Sequence, residues 1–179
     1  MKIKKIALTD FQGGTIAIDF AGGDVSIRGD NATGKTRIAS AFSWLLYKKD
    51  ALGRTDFAIL PLDADGNRIA KIKEASVEAT FELDGKPCVT LKKTYAEKWT
   101  KPRGELKLKQ TSNNVLYYLN DVKVTDGDFQ DAIDHISGRD ETFKLLTNTM
   151  YFPELHWEKK RALGLPMGGE IRADEVIAS

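Results

Sequence analysis

GDNATGKT, residues Gly29–Thr36, fits the pattern G-x-x-x-x-G-K-[ST] at every fixed position. Each residue type there answers a physical need. Gly29 and Gly34 carry no Cβ, so the backbone can turn tightly and come close to an anionic ligand. Successive backbone N–H groups then point into a concavity at the positive end of the following helix, which cradles a phosphate. Lys35 supplies a point charge for the β- and γ-phosphates. The Thr36 hydroxyl is the expected ligand of a Mg²⁺ ion that keeps several waters. Asn31, Ala32 and Thr33 fill the loop, and Arg37 follows it directly. The motif points to a nucleoside triphosphate and leaves the reaction open.

Such a loop requires a strand before it and a helix after it. Upstream, KIKKIALTDF and TIAIDF alternate apolar and polar residues on either side of a Gly13-Gly14 turn, and DVSIRGD predicts a third strand running into the loop. Downstream, TRIASAFSWLLYKK spaces Ile38, Phe42, Leu45 and Leu46 at the period of a helix with one buried face. Beyond residue 51 the pattern turns strand-like. ASVEATFEL and CVTLKKTY flank Asp84-Gly85-Lys86, a hairpin signal, and GELKLKQT and VLYYLNDVKV predict two more strands. DFQDAIDHI and DETFKLLTN have amphipathic helical spacing, with Asp128 and Asp140 as expected N-caps.

The expected fold is α/β, one domain over 1–179, with a mixed sheet, β-hairpins and a helical C-terminal part. Strands, loop and first helix fill 1–50, hairpins 51–125, and helices 126–179. The last stretch, GLPMGGEIRADEVIAS, reads as a chain that stops early.

Composition narrows the class. With 41% hydrophobic and 30% charged residues the chain is globular, and a formal net charge of +1 leaves any attraction to nucleic acid to local patches. Cys88 is the sole cysteine, so no intrachain disulfide forms and a reducing cytoplasm is the expected compartment. The start alternates in polarity, unlike a secretory signal, and no apolar run reaches membrane-spanning length, so no membrane partner is expected.

Hydrolysis demands more than the loop: a second acidic residue for the metal, a positioned water and a stabilising cation. FAILPLD ends at Asp63, but Pro61 would break a central ladder there. SVEATFELD ends at Asp84 and reads as a half-exposed hairpin strand. No acidic residue is credible in this role. Asp63-Ala64-Asp65-Gly66 fits D-x-x-G, yet the N-K-x-D that reads guanine is missing. It also imitates a calcium loop, with Arg68 where the glycine belongs, and a solvated turn is the simpler reading. His135 and His156 are isolated and read as structural. Residues 86–109 hold eight lysines and arginines against two glutamates, with Tyr95 and Trp99 interleaved. Such a surface suits phosphate neutralisation and base stacking, or else a solvated sheet edge guarded by lysines.

The order of strands, GDNATGKT, helix and hairpins resembles the N-terminal lobe of SMC/RecF-like, ABC-type ATPases, a P-loop NTPase head. More closely it resembles the prophage and bacterial DNA-repair ATPases of that superfamily, of double-strand-break-repair type. KKDALGRTDF, PLDADGN, AEKWTKPRG, ETFKLLTN and LHWEKKRALG carry the likeness in order along nearly the whole chain. The resemblance implies ATP and Mg²⁺ as ligands, with Gly29, Asn31, Ala32, Thr33, Gly34, Lys35, Thr36 and Arg37 around the nucleotide. It implies a C-terminal ATPase lobe joined through a coiled coil, supplying the missing acidic and signature motifs, and a second head for an ATP-dependent dimer. It also implies DNA, through Lys92, Lys93, Lys98, Lys101 and Arg103, and a possible nuclease partner. Two positions depart from the pattern. Gln12 stands where relatives often place a basic residue, and NTMYFPELHW has no metal-facing glutamine, leaving Glu154 as the substitute.

Three functions therefore compete: an ATP-binding lobe incomplete for hydrolysis alone; a self-sufficient small P-loop kinase or NTPase using Asp63; and a nucleic-acid-binding module with a vestigial loop.

Overall fold

A computed structural model describes residues 2–167 apart from Gly22, Ala32, Ala64, Arg68, Ala70, Lys71, Gly85, Lys86, 101–108, 138–140 and Thr149. Six strands, β1 Lys2–Phe11, β2 Gly14–Asp19, β3 Glu74–Glu82, β4 Val89–Thr100, β5 Lys109–Leu119 and β6 Val122–Val124, form one sheet in the order β2-β1-β3-β4-β5-β6. The helices are α1 Lys35–Tyr47, α2 Asp126–Ser137, α3 Glu141–Thr147, α4 Tyr151–Glu154 and α5 Trp157–Met167. The α/β class holds. Every pairing among the described strands is antiparallel, which corrects the expected mixed sheet.

Alternation decides which face is buried. On β3, Ala75, Val77, Ala79 and Phe81 point inward between half-exposed neighbours. β1 buries Ile6 and Leu8, then inserts one extra residue opposite β2 so that Phe11 also faces in. Asp10 takes a positive φ of 53° in this bulge, and its N–H donates to the Thr15 hydroxyl. α1 lies across β1, β3 and β4 and buries Ala41, Trp44, Leu45 and Leu46. The Phe11 ring sits 5.5 Å from that of Trp44. α2 covers β5 with Phe129, Ile133 and Ile136, Phe129 lying 5.0 Å from Tyr117.

Three local expectations change. DVSIRGD forms no strand: residues 24–30 pair with no neighbour among the described strands, and Val25 and Ile27 are 45% and 41% exposed. A strand is a pairing, and alternation alone does not supply the second partner. VLYYLNDVKV is a hairpin rather than one strand, turning at Asn120-Asp121, where both residues have positive φ as a type I′ turn requires. Of GELKLKQT, the part before Lys109 lies outside the described residues.

The N-cap of α2 is Thr125, not Asp128. The Asp128 N–H donates to the Thr125 hydroxyl, and the Asp128 carboxylate accepts from the Thr125 N–H, a reciprocal capping box. Asp140 lies outside the described residues. No described helix is long and apolar enough to cross a membrane.

Candidate functional site

α1 begins at Lys35, immediately after Gly34, whose φ of 95° is a left-handed conformation that glycine adopts without penalty. No side chain caps this end, and no acidic residue sits in the first turn. The Arg37 N–H turns back on Gly34 O at 3.0 Å, so the N–H groups of Lys35 and Thr36, at the positive end of the helix dipole, remain available to an anion. A cavity of about 250 Å³ opens there, lined by Gln12, Asn31, Gly34, Lys35, Thr36 and Arg37. The loop holds its own shape. Lys35 Nζ donates to the carbonyl oxygens of Gly29 and Asp30, and the Thr33 hydroxyl donates to Asp30 O at 2.8 Å. Gly29 lies close beside that hydroxyl: a Cβ there would be 3.0 Å from Thr33 Oγ1.

The structure thus brings Asn31, Gly34, Lys35, Thr36 and Arg37 around one cavity, with Gly29 and Thr33 shaping the loop behind them. Ala32 lies outside the described residues. Thr36 lines the cavity at the first turn of α1. The chemistry such a cavity supports is electrostatic: two cations line it at an uncapped helix start, an arrangement that suits an anion.

Gln12 belongs to this cavity as well. Its N–H donates to Ile59 O at 2.7 Å and its side-chain amide to Ala58 O at 3.3 Å, which ties the β1–β2 turn to the segment after α1.

Glu154 is elsewhere. Its carboxylate pairs with Lys49 Nζ at 2.7 Å, beyond the far end of α1. A 13-residue helix separates that end from Thr36 by roughly 20 Å at about 1.5 Å rise per residue. The metal role expected of Glu154 is therefore corrected: sequence order placed it near the loop, and the helix length places it away. Asp63 is engaged in its own turn, where the carboxylate accepts from the N–H groups of Asp65 and Asn67 at 3.0 and 2.8 Å. His135 and His156 are both exposed, His156 lying 3.8 Å from Glu158.

The basic residues divide by strand phase. Lys93 is only 2% exposed, and its ammonium donates to Trp44 O at 2.8 Å while lying 4.5 Å from the Trp44 ring centroid. It faces α1, so it leaves the DNA-facing set. Burial, reinforced by Lys48 and opposed by Asp126, pulls its pKa down from 10.5 to about 7. Lys48 pairs with Asp126 at 2.7 Å, and that hydrogen bond is the main reason the Asp126 carboxyl is held below its usual range. Burial and a bond to Asp126 push the Tyr117 hydroxyl up to about 12. Lys92 lies on the opposite face, 6.0 Å from the Tyr118 ring centroid, and Lys98 is exposed. Tyr95 packs against the core, which removes it from the stacking surface. Lys101, Arg103 and the Trp99 side chain lie outside the description.

The AAA domain family matches residues 2–161, nearly the whole chain. This protein belongs to that family. Comparison with curated proteins gives no match. Two solved structures resemble this AAA domain in fold. One comes from work on the structural biochemistry of ATP-driven dimerization and DNA-stimulated activation of SMC ATPases. It is 20% identical with a TM-score of 0.59, and the match covers 93% of this chain and 99% of that one. The other is an Smc head bound to the C-winged helix domain of ScpA, 20% identical with a TM-score of 0.53. That match covers 77% of this chain and 40% of the other, so this AAA domain spans less than half of that protein. The fold is an SMC-type ATPase head fold.

Sequence reading missed one residue that packs behind this AAA domain's cavity, against Arg37. Gly14 is buried, and a Cβ on it would lie 2.4 Å from Arg37 Nη1 and 2.6 Å from Arg37 Cδ. The signal was the doubled glycine: Gly13 supplies the positive φ of the turn at 76°, so a second glycine implies a close approach.

Proposed function

We propose that this chain is the ATP-binding lobe of an SMC-like ATPase. It grips MgATP between Gly29 and Thr36 and takes its hydrolytic groups from a separate lobe. The carrying observation is the polar cavity at the uncapped start of α1, which holds Lys35, Thr36 and Arg37 and no carboxylate. Family membership and the SMC-type fold support ATP as the nucleotide. Gly29, Asn31, Ala32, Thr33, Gly34, Lys35, Thr36 and Arg37 bind it, and Thr36 holds Mg²⁺ with the phosphates.

The completing lobe, joined through a coiled coil, docks beside the loop. Support comes from an apolar cavity of about 310 Å³, lined by Ile3, Ile6, Phe20, Ile27, Ile38 and Phe42 among others, next to the unpaired segment holding Val25. Two such heads close over ATP, and the assembly works on DNA in repair, recombination or chromosome segregation, in the cytoplasm, with a nuclease as possible partner. Lys92 and Lys98, with Lys101 and Arg103, form the DNA-facing set.

Calorimetric titration of MgATP into wild type and Lys35→Ala tests the reading. Binding by wild type, loss in the variant and negligible phosphate release from the lone chain are expected. Equal binding by both proteins, or brisk turnover, overturns it.

A further inference from the structure

We propose that Arg37 is a second phosphate-binding cation, admitted to the cavity by the missing Cβ of Gly14. This rests on the reading of the loop as an ATP site and adds a specific residue pair to it.

Two cations line the cavity and they differ in what occupies them. Lys35 is engaged by the carbonyls of Gly29 and Asp30. Arg37, by contrast, makes no side-chain hydrogen bond or ion pair among the described residues, although it is half-buried. A half-buried guanidinium without a counter-charge gives up hydration and receives nothing in return, and an anionic ligand removes that deficit. Its planar fork of donors suits the oxygens of a phosphate better than a single-point ammonium does.

The position is built rather than incidental. Arg37 lies along the backbone of Gly14, and its Nη1 would be 3.3 Å from a Cβ on Gly34 as well. The guanidinium therefore sits between the β1–β2 turn and the phosphate loop. Any side chain at residue 14 would occupy the space of Cδ and Nη1 and drive the arginine out. The turn itself is fixed from behind by the Gln12 bonds to Ile59 and Ala58. Where a basic residue is absent from the turn at Gln12, a charge reaches the same edge of the cavity from the helix.

The ligand this pair serves is the polyphosphate portion of a nucleoside triphosphate. Calorimetry on the 179-residue chain with MgATP and with magnesium tripolyphosphate tests it, using wild type, Lys35→Ala, Arg37→Ala, Gly14→Ala and the Gly14→Ala/Arg37→Ala double variant. Arg37→Ala is expected to weaken both ligands by about ten- to a hundredfold, the scale of a lost charge-assisted hydrogen bond. Gly14→Ala should weaken them similarly, and the double variant should be no weaker than Arg37→Ala, since both changes remove one interaction. Unaltered affinity in Arg37→Ala overturns the proposal, as does a Gly14→Ala penalty that adds fully in the double variant. Melting curves report whether Gly14→Ala is folded, and if it is not, Arg37→Ala decides alone, being a substitution that favours the helix. Wild type that binds while only Lys35→Ala fails leaves the ATP site standing and removes Arg37 from it. Wild type that binds neither ligand removes both.

Discussion

Lys93 and Trp44 meet across the core: the strand lysine donates to the carbonyl of the helix residue at 2.8 Å and lies over its ring. Trp44 O also accepts from the Lys48 N–H at 3.2 Å, so one carbonyl near the end of α1 gathers two donors. When protonated, the ammonium complements the negative end of α1.

This contact carries a pH dependence. Lys93 is held near 7 in the folded protein against 10.5 in the unfolded chain. Between those values the unfolded chain binds a proton that the folded one lacks, so stability rises with pH. Below about 7 both forms are protonated and the burial penalty stands in full. Lys48, Asp126 and Tyr117 face the group. The wild-type urea midpoint is expected to rise from pH 7 to pH 9 by an amount worth on the order of 2 kcal/mol. In Lys93→Met that rise should vanish. Parallel slopes for the two proteins would remove this account of Lys93.

Thr36 is expected to govern the metal rather than the phosphates. In wild type, Mg²⁺ should tighten ATP binding, and EDTA should reverse the gain. In Thr36→Ala the gain should shrink by roughly tenfold, about 1.4 kcal/mol, while Thr36→Ser retains it. Isothermal titration with and without Mg²⁺ reads the difference. A Mg²⁺ effect of full size in Thr36→Ala would place the metal elsewhere.

Val25 and Ile27 leave apolar surface open on an unpaired segment. Their replacement by Thr and Lys is expected to reduce self-association in sedimentation velocity and to leave stability within about 0.5 kcal/mol, as for exposed positions generally. A fall in stability well beyond that would mean the segment is packed in solution.

The capping box of α2 gives a purely structural prediction. Thr125→Ala should cost about 1 kcal/mol in chemical denaturation. Asp128→Ala should make the second loss smaller, because the two residues satisfy each other's N–H groups. Additive losses would deny the reciprocity.

What could be read from the sequence was what local periodicity decides. The three- and four-residue spacing gave α1, and alternation gave β3 and β4, because each pattern is fixed by neighbours in the chain. DVSIRGD shows the limit: it alternates like a strand and finds no partner among the described strands. Lys93 was misplaced for a simpler reason. It lies two residues after Leu91, which is fully buried, so strand phase turns it inward, away from the surface lysines beside it in sequence. Glu154 and Gly14 depended on distances between segments far apart in sequence, which no local pattern encodes. The turn into α1 was legible because Gly34 takes a left-handed φ of 95°, and such backbone needs announce themselves as glycines at fixed spacing.

The bulge at Asp10 sets the phase between two halves of one strand. Ile6 and Leu8 obey one parity and Phe11 the other, so the supernumerary residue works as a half-step in a gear train. Deleting it would turn Phe11 toward solvent or rotate the Gly13-Gly14 corner away from Arg37. Packing of the β1 core and the shape of the polar cavity are thereby geared together, and indels at this point would be felt at both ends at once.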